Sequence, residues 1–164
     1  MPPEAMTSRF TSAGESPGFL LWRISNAWQQ RQRAALQPFG LTHVQFVLLA
    51  SLVWLTQHGA TVTQSDLAEQ AQTDPMMTSQ VVRTLEARGL LTRATSAQDR
   101  RARILTPTAA GAALTVAAIK VVEAVDAECF AMEDVACLQG IAQRLGLPAM
   151  HDGHSRPTTA RDAS

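Results

Sequence analysis

Apolar positions along this chain recur mainly at the three- and four-residue steps of helices. In Pro17–Leu36, Leu20, Ile24 and Trp28 fall four apart with Leu21 and Ala35 beside them, which predicts an amphipathic helix closed by Pro38 and Gly40. Thr42 is placed to cap a second helix, His43–Gln57. Val44, Val47, Leu48, Ser51 and Leu55 share one of its faces, and Phe46, Leu49, Val53 and Trp54 make the others apolar. A helix apolar nearly all round is a buried one, and His58-Gly59 closes it. Thr63, with Asp66 three residues on, is a capping-box variant that opens a short helix with Leu67, Ala68 and Ala71 inward. Asp74-Pro75 opens the next, an N-cap followed by proline at the first helical position. Its expected buried stripe is Met77, Val81, Val82 and Leu85, and Gly89 ends it.

The period then drops to two. Residues 90–95 and 102–106 predict two short strands around a polar turn, the only hairpin expected in the chain. Pro107 has no N–H to give a ladder, so the second strand is expected to stop by Thr106. Thr108 caps a long helix over about 108–130, with Leu114, Ala118, Val121, Val122 and Val125 as its stripe. A last helix, about 133–145, carries Val135, Leu138, Ile141 and Leu145. The fold class is therefore mainly α with a small β-hairpin. Residues 1–16 and 148–164 lack hydrophobic periodicity and are expected to be disordered tails flanking one domain over 17–147.

Two short helices joined by a turn, then glycine and a hairpin, make a winged helix-turn-helix. Opposite its apolar stripe, the helix over 75–88 offers Thr78, Ser79, Gln80, Arg83 and Thr84. Gln pairs bidentately with adenine and Arg with guanine, while free N–H groups at a helix start suit phosphate. The hairpin adds Arg93, Arg100, Arg101 and Arg103, a set suited to the negative potential of a minor groove. Either feature alone also fits a solvated face or a soluble sheet edge. Their occurrence together, in this order, points to DNA.

Charge at first argues otherwise. The 164 residues carry 14 basic and 14 acidic side chains, a net of zero, where nucleic-acid binders usually hold a basic surplus. Divided along the chain, residues 74–103 hold six Arg against three acids, residues 107–164 hold four basic against seven acidic, and residues 1–73 hold four of each. The charge is polarised: positive on the second short helix and hairpin, negative toward the C-terminal end. A net of zero leaves little long-range attraction, so non-specific DNA binding should be modest and easily lost to salt.

Composition removes other function classes. The 27 Ala and absence of Tyr favour helix. Cys129 and Cys137, eight apart, form neither a disulfide framework nor a zinc spacing, and Glu128 beside Cys129 disfavours a reactive thiolate. His151, Asp152 and His154 sit in a Gly/Pro/Ser segment without a scaffold, so no metal site is expected. No activated serine, carboxylate pair or phosphate loop stands out; an enzyme and a cofactor are not expected. The first residues lack the apolar segment of a signal peptide, and no membrane span is expected, which predicts a cytoplasmic protein.

The runs LTHVQFVLLASL (41–52), TQSDLAEQA (63–71), TSQVVRTLEARGLLTR (78–93), DRRAR (99–103) and TAAG (108–111) resemble the MarR family of bacterial transcription regulators, and the likeness spans about 17–147. The resemblance implies a homodimer with a DNA-binding lobe over about 42–108 and dimerisation helices over about 17–36 and 109–147. It implies that the helix over 75–88 enters the major groove and the wing the minor groove of a palindromic operator. Release by a small, often aromatic, effector is also implied. Residue by residue, Arg101 matches the wing arginine, Asp99 the acid that shapes its tip, and Thr78 to Thr84 the base-reading stretch. Thr63, Gln64 and Ser65 match the phosphate-touching start of the preceding helix. By the same resemblance Trp22, His43 and Phe46 line an effector pocket. On the residues alone, Trp22, Trp28 and Phe46 read as core or dimer packing, and His43 as a solvated or capping residue. The expectation is a sequence-specific DNA-binding repressor released by ligand. The alternatives are a winged-helix protein-interaction module and a small-molecule carrier that binds no DNA.

Overall fold

A computed structural model describes residues 8–96 and 102–147; both remaining end segments and the wing turn, with Asp99, Arg100 and Arg101, lie outside the described residues. The helices are α1 (Pro17–Leu36), α2 (His43–Gln57), α3 (Gln64–Ala71), α4 (Pro75–Ala87), α5 (Ala109–Cys129) and α6 (Met132–Arg144). The strands are β1 (Val62–Thr63), β2 (Leu91–Thr95) and β3 (Arg103–Pro107). Their starts follow local chemistry. Thr42 accepts from the Gln45 N–H while the Gln45 side chain accepts from Thr42, and Thr63 and Asp66 make the same reciprocal pair. Asp74 and Thr108 cap α4 and α5 with their side chains.

α2 is the central element. Leu48, Leu49 and Leu52 are fully buried, and Leu36, Leu67, Val82, Leu85, Leu91 and Leu105 close around them from α1, α3, α4, β2 and β3. No single helix among the described residues is long and apolar enough to cross a membrane.

Three local features differ from expectation. Ala13–Glu15 forms a 3-10 turn within the segment expected to be disordered, and the Thr11 N–H donates to the Glu15 carboxylate at 2.9 Å. The sheet has three strands, not two, in the order β1-β3-β2 and antiparallel throughout. β1 is two residues long, too short to show alternation, and pairs Val62 with Leu105 and Thr63 with Ile104.

β3 also runs one residue beyond the expected stop, because Pro107 is tolerated there. Thr108 N–H donates to Leu90 O, and Ser96 N–H to Ala102 O. Alternation then makes Leu91↔Pro107 a non-hydrogen-bonded pair, so the Pro107 nitrogen faces away from β2. On its other side β1 has already ended, so no ladder bond is lost.

One side of the molecule is apolar and uncovered. α6 buries none of its residues, and Val135, Leu138 and Ile141 are exposed together with Leu20, Leu21 and Ile24 of α1 and Val116 and Ile119 of α5.

Candidate nucleic-acid interface

α3 and α4 pack against each other across a tight turn in which Gln72 adopts a left-handed conformation, φ 51°. α4 then lies with one face on Leu67 and the α2 leucines and the other in solvent. The buried stripe is Thr78, Val81, Val82 and Leu85. This corrects the sequence reading, which put Met77 in the stripe and Thr78 on the outer face. Thr78 is fully buried; its hydroxyl bonds the Asp74 carbonyl at 2.9 Å and the Thr73 hydroxyl at 2.7 Å. A satisfied threonine completes the i, i+3, i+4, i+7 set, and Thr78 is withdrawn from base contact.

The outer face holds Met76, Met77, Gln80, Arg83 and Thr84, with Ser79 half-buried at its edge. Arg83 folds back, Nε donating to Ser79 O at 3.2 Å and Nη2 to Ser79 Oγ at 3.3 Å. The Thr84 hydroxyl donates to Gln80 O at 3.1 Å. The start of α4 does not offer the free N–H groups expected of it: Asp74 Oδ1 accepts from Met76 N at 2.9 Å and Met77 N at 3.1 Å. A carboxylate seated there disfavours phosphate at that end.

Of the three residues expected at the start of α3, Thr63 is engaged, its hydroxyl donating to Asp66 Oδ2 at 2.7 Å. Ser65 is exposed and Gln64 half-buried. Both line an open cleft of about 520 Å³ whose far wall is Thr73, Asp74 and Pro75 at the start of α4. The cleft brings the two helix starts to one surface.

The wing strands carry two of the predicted arginines. Arg93 is paired, not free: Nε and Nη2 donate to Glu86 Oε2 of α4, at 2.7 and 2.5 Å. It braces the wing against the helix. Arg103 is exposed and bonds the Thr95 hydroxyl across the hairpin. Arg88, at the end of α4, ties back to the α1–α2 turn through Gly40 O at 2.8 Å.

Arg93, chiefly through its side-chain hydrogen bond, holds Glu86 below the usual carboxylate range. The pair therefore adds stability at pH above the unfolded carboxyl value and loses it as pH falls through the lower folded one. Glu86→Gln should lower the melting temperature slightly at about pH 7, and the difference should shrink as pH falls through the lowered Glu86 titration. Paired thermal melts check this, and an acid-independent difference would count against the brace.

Trp22, His43 and Phe46 do not surround one space. Trp22 is 67 % exposed on α1, and Phe46 is in the core at 6 %. His43 is half-buried, edge-on to Trp28 with ring centroids 4.9 Å apart. Burial lowers the His43 pKa against the opposing pull of Asp126, with Arg33 adding to the lowering. A separate cavity of about 530 Å³ lies between α1 and the α5–α6 corner, walled by Leu21, Ile24, Trp28, Phe130 and Val135, with Asp126 as its charged group.

Sequence reasoning missed the junction beside this cavity. Asp126 Oδ1 accepts from Trp28 Nε1 at 2.7 Å and from Gln32 Nε2 at 2.8 Å, fastening α1 to α5. Gln32 is fully buried and its Oε1 has no partner. These residues are more than ninety positions apart, and the one sequence signal was a polar Gln32 four residues after Trp28 on a packed helix.

The MarR family model matches residues 41–102, which run from the start of α2 to the second wing strand. The uncharacterized HTH-type transcriptional regulator YdcH of Bacillus subtilis (strain 168) is 47 % identical over 124 residues, covering 76 % of this chain and 84 % of that one. The chain belongs to the MarR family. The HTH-type transcriptional repressor Rv2887 of Mycobacterium tuberculosis is 35 % identical over 120 residues, covering 73 % of this chain and 84 % of that one. The transcriptional repressor CouR, of Rhodococcus jostii RHA1, solved on a 23-mer DNA duplex, has the same fold, with TM-score 0.70, 23 % identity, and coverage of 86 % of this chain and 99 % of that one. This MarR-family protein is a transcriptional regulator of the winged-helix class and not an enzyme. Its partner is DNA.

Proposed function

We propose that this regulator is a homodimeric repressor that reads a palindromic operator and is released by a small aromatic effector. The observation that carries the reading is the outer face of α4. Gln80, Arg83 and Thr84 stand exposed there, on a helix locked to its wing by Arg93 and Glu86. In this arrangement α4 reads bases in the major groove, Gln64 and Ser65 approach phosphate, and Arg103 with Arg100 and Arg101 follows the minor groove. The repressor name of the mycobacterial relative supports the sign of regulation.

The uncovered apolar face of α1, α5 and α6 supports a second copy of the chain as its cover, because an amphipathic helix that buries nothing gains little from folding alone. Trp28 and Phe130, in the walls of the 530 Å³ cavity, support an aromatic effector. The site of action is the cytoplasm, where the operator is.

Selection of duplexes from a random library by the full-length protein tests this reading. Enrichment of an inverted repeat with half-sites roughly 34–36 Å apart is expected. No enrichment over random duplex at moderate salt would overturn it in favour of a protein-docking module. In light scattering the protein should weigh twice 17.7 kDa. Leu138→Asp should give a monomer with unchanged helical signal, since Leu138 packs into no core within its own chain. A variant that stays dimeric would remove α6 from the interface.

A further inference from the structure

We propose that Met76 and Met77 read thymine methyl groups in the operator, and that the protein selects its site partly through these apolar contacts. The inference rests on the DNA-reading role of α4 and adds two residues and a chemistry to it.

Met76 is 81 % exposed and Met77 42 % exposed. Met76 lies one turn before Gln80, and Met77 three residues before it, so both share the outer face with Gln80 and Arg83. Side chains on a helix lean toward its N-terminus, so the two thioethers extend past the leading end of α4. In a helix-turn-helix that leading end is the part that meets base edges.

Two further observations shape the role. Thr78 is buried, so the first turn of α4 has no small hydroxyl at that position to bond a base. Asp74 occupies the Met76 and Met77 N–H groups, so the same turn has little to offer a phosphate. What the first turn presents is flexible, polarisable apolar surface. In the major groove the apolar group is the thymine C5-methyl. Methionine is unbranched and adapts to such a target. Gln80 and Arg83, one and two turns later, then supply hydrogen bonds to neighbouring purines.

The experiment uses the full-length protein and the duplexes enriched by selection. Each thymine is replaced in turn by deoxyuridine, which removes the methyl and leaves every hydrogen-bonding group. Affinity is read by fluorescence anisotropy. At one or two positions per half-site, loss of the methyl should weaken binding about fourfold. Met76→Ala or Met77→Ala should bind the thymine and uracil duplexes equally at its own position, with an unchanged dependence on salt. Exposure of both side chains makes a folding defect unexpected, and a thermal melt confirms that the variant is intact. Indifference of the wild type to every thymine-to-uracil change would overturn the proposal. So would variants that still distinguish the two bases. Failure to enrich any duplex would instead remove the DNA-reading role itself, and this proposal with it.

Discussion

Gly111→Ala is expected to destabilise the fold by about 3 kcal/mol or more, lowering the melting temperature by roughly 10 °C. A Cβ at this position would stand 1.9 Å from Leu90 O and 2.9 Å from the Leu90 carbonyl carbon. Both are backbone atoms, so no flexible side chain can yield. Leu90 O is already committed to the Thr108 N–H at 3.1 Å. The Thr108 hydroxyl donates to Gly89 O at 2.7 Å and accepts from Gly111 N at 3.0 Å. The start of α5 is thereby stapled to the corner where α4 ends and β2 begins. Relieving the clash means moving α5 by more than an ångström, which would open the packing of Leu91 and Leu105 in the core. Gly140→Ala in α6 is the control. Its Cβ meets only the far end of Arg144 at 3.5 Å, and alanine is the better helix former, so stability should hold or rise. Calorimetry of the two variants checks the pair, and a melting temperature for Gly111→Ala close to that of the wild type would refute the close approach.

Features that depend on neighbours in sequence were legible before the structure. Thr42, Thr63, Asp74 and Thr108 cap helices because capping needs only a short side chain two or three residues before an orphan N–H. Gly89 ends α4 with φ 69°, a conformation that costs glycine nothing. Features that depend on how side chains meet once the elements pack, whether the partner is a few residues away or far along the chain, were not legible. Hydropathy placed Met77 inward and Thr78 outward. These neighbours differ by about 100° around the helix, and Thr78 can be the buried one because its hydroxyl donates to the Asp74 carbonyl and bonds the Thr73 hydroxyl. Arg93 carries a wing charge in sequence, but only the packing of β2 on α4 sets it against Glu86. β1 is fixed by β3, forty residues on, and two residues carry no period of their own. Trp28 was visible as an apolar position, but its indole bond to Asp126 has no local trace.

The second large effect is on recognition. Arg83→Ala should weaken binding to the selected operator about 5- to 150-fold per half-site, from the roughly 1–3 kcal/mol of a bidentate guanine contact. In the proposed dimer both half-sites lose the contact, so the losses compound. The resting bonds of Arg83 to Ser79 are exposed and water competes for them, so exchanging them for a guanine edge costs little. Arg83→Lys should recover only part of the affinity, because a single ammonium cannot span O6 and N7 as the planar fork does. Binding to random duplex and the melting temperature should both hold, since Arg83 supports no core packing. The salt dependence separates the two roles an arginine can have here. A base contact leaves the slope of affinity against salt unchanged, whereas a phosphate contact lowers it by about one. Equal weakening on operator and random duplex, with a shallower slope, would move Arg83 from the bases to the backbone and leave Gln80 and the two methionines as the sequence readers of α4.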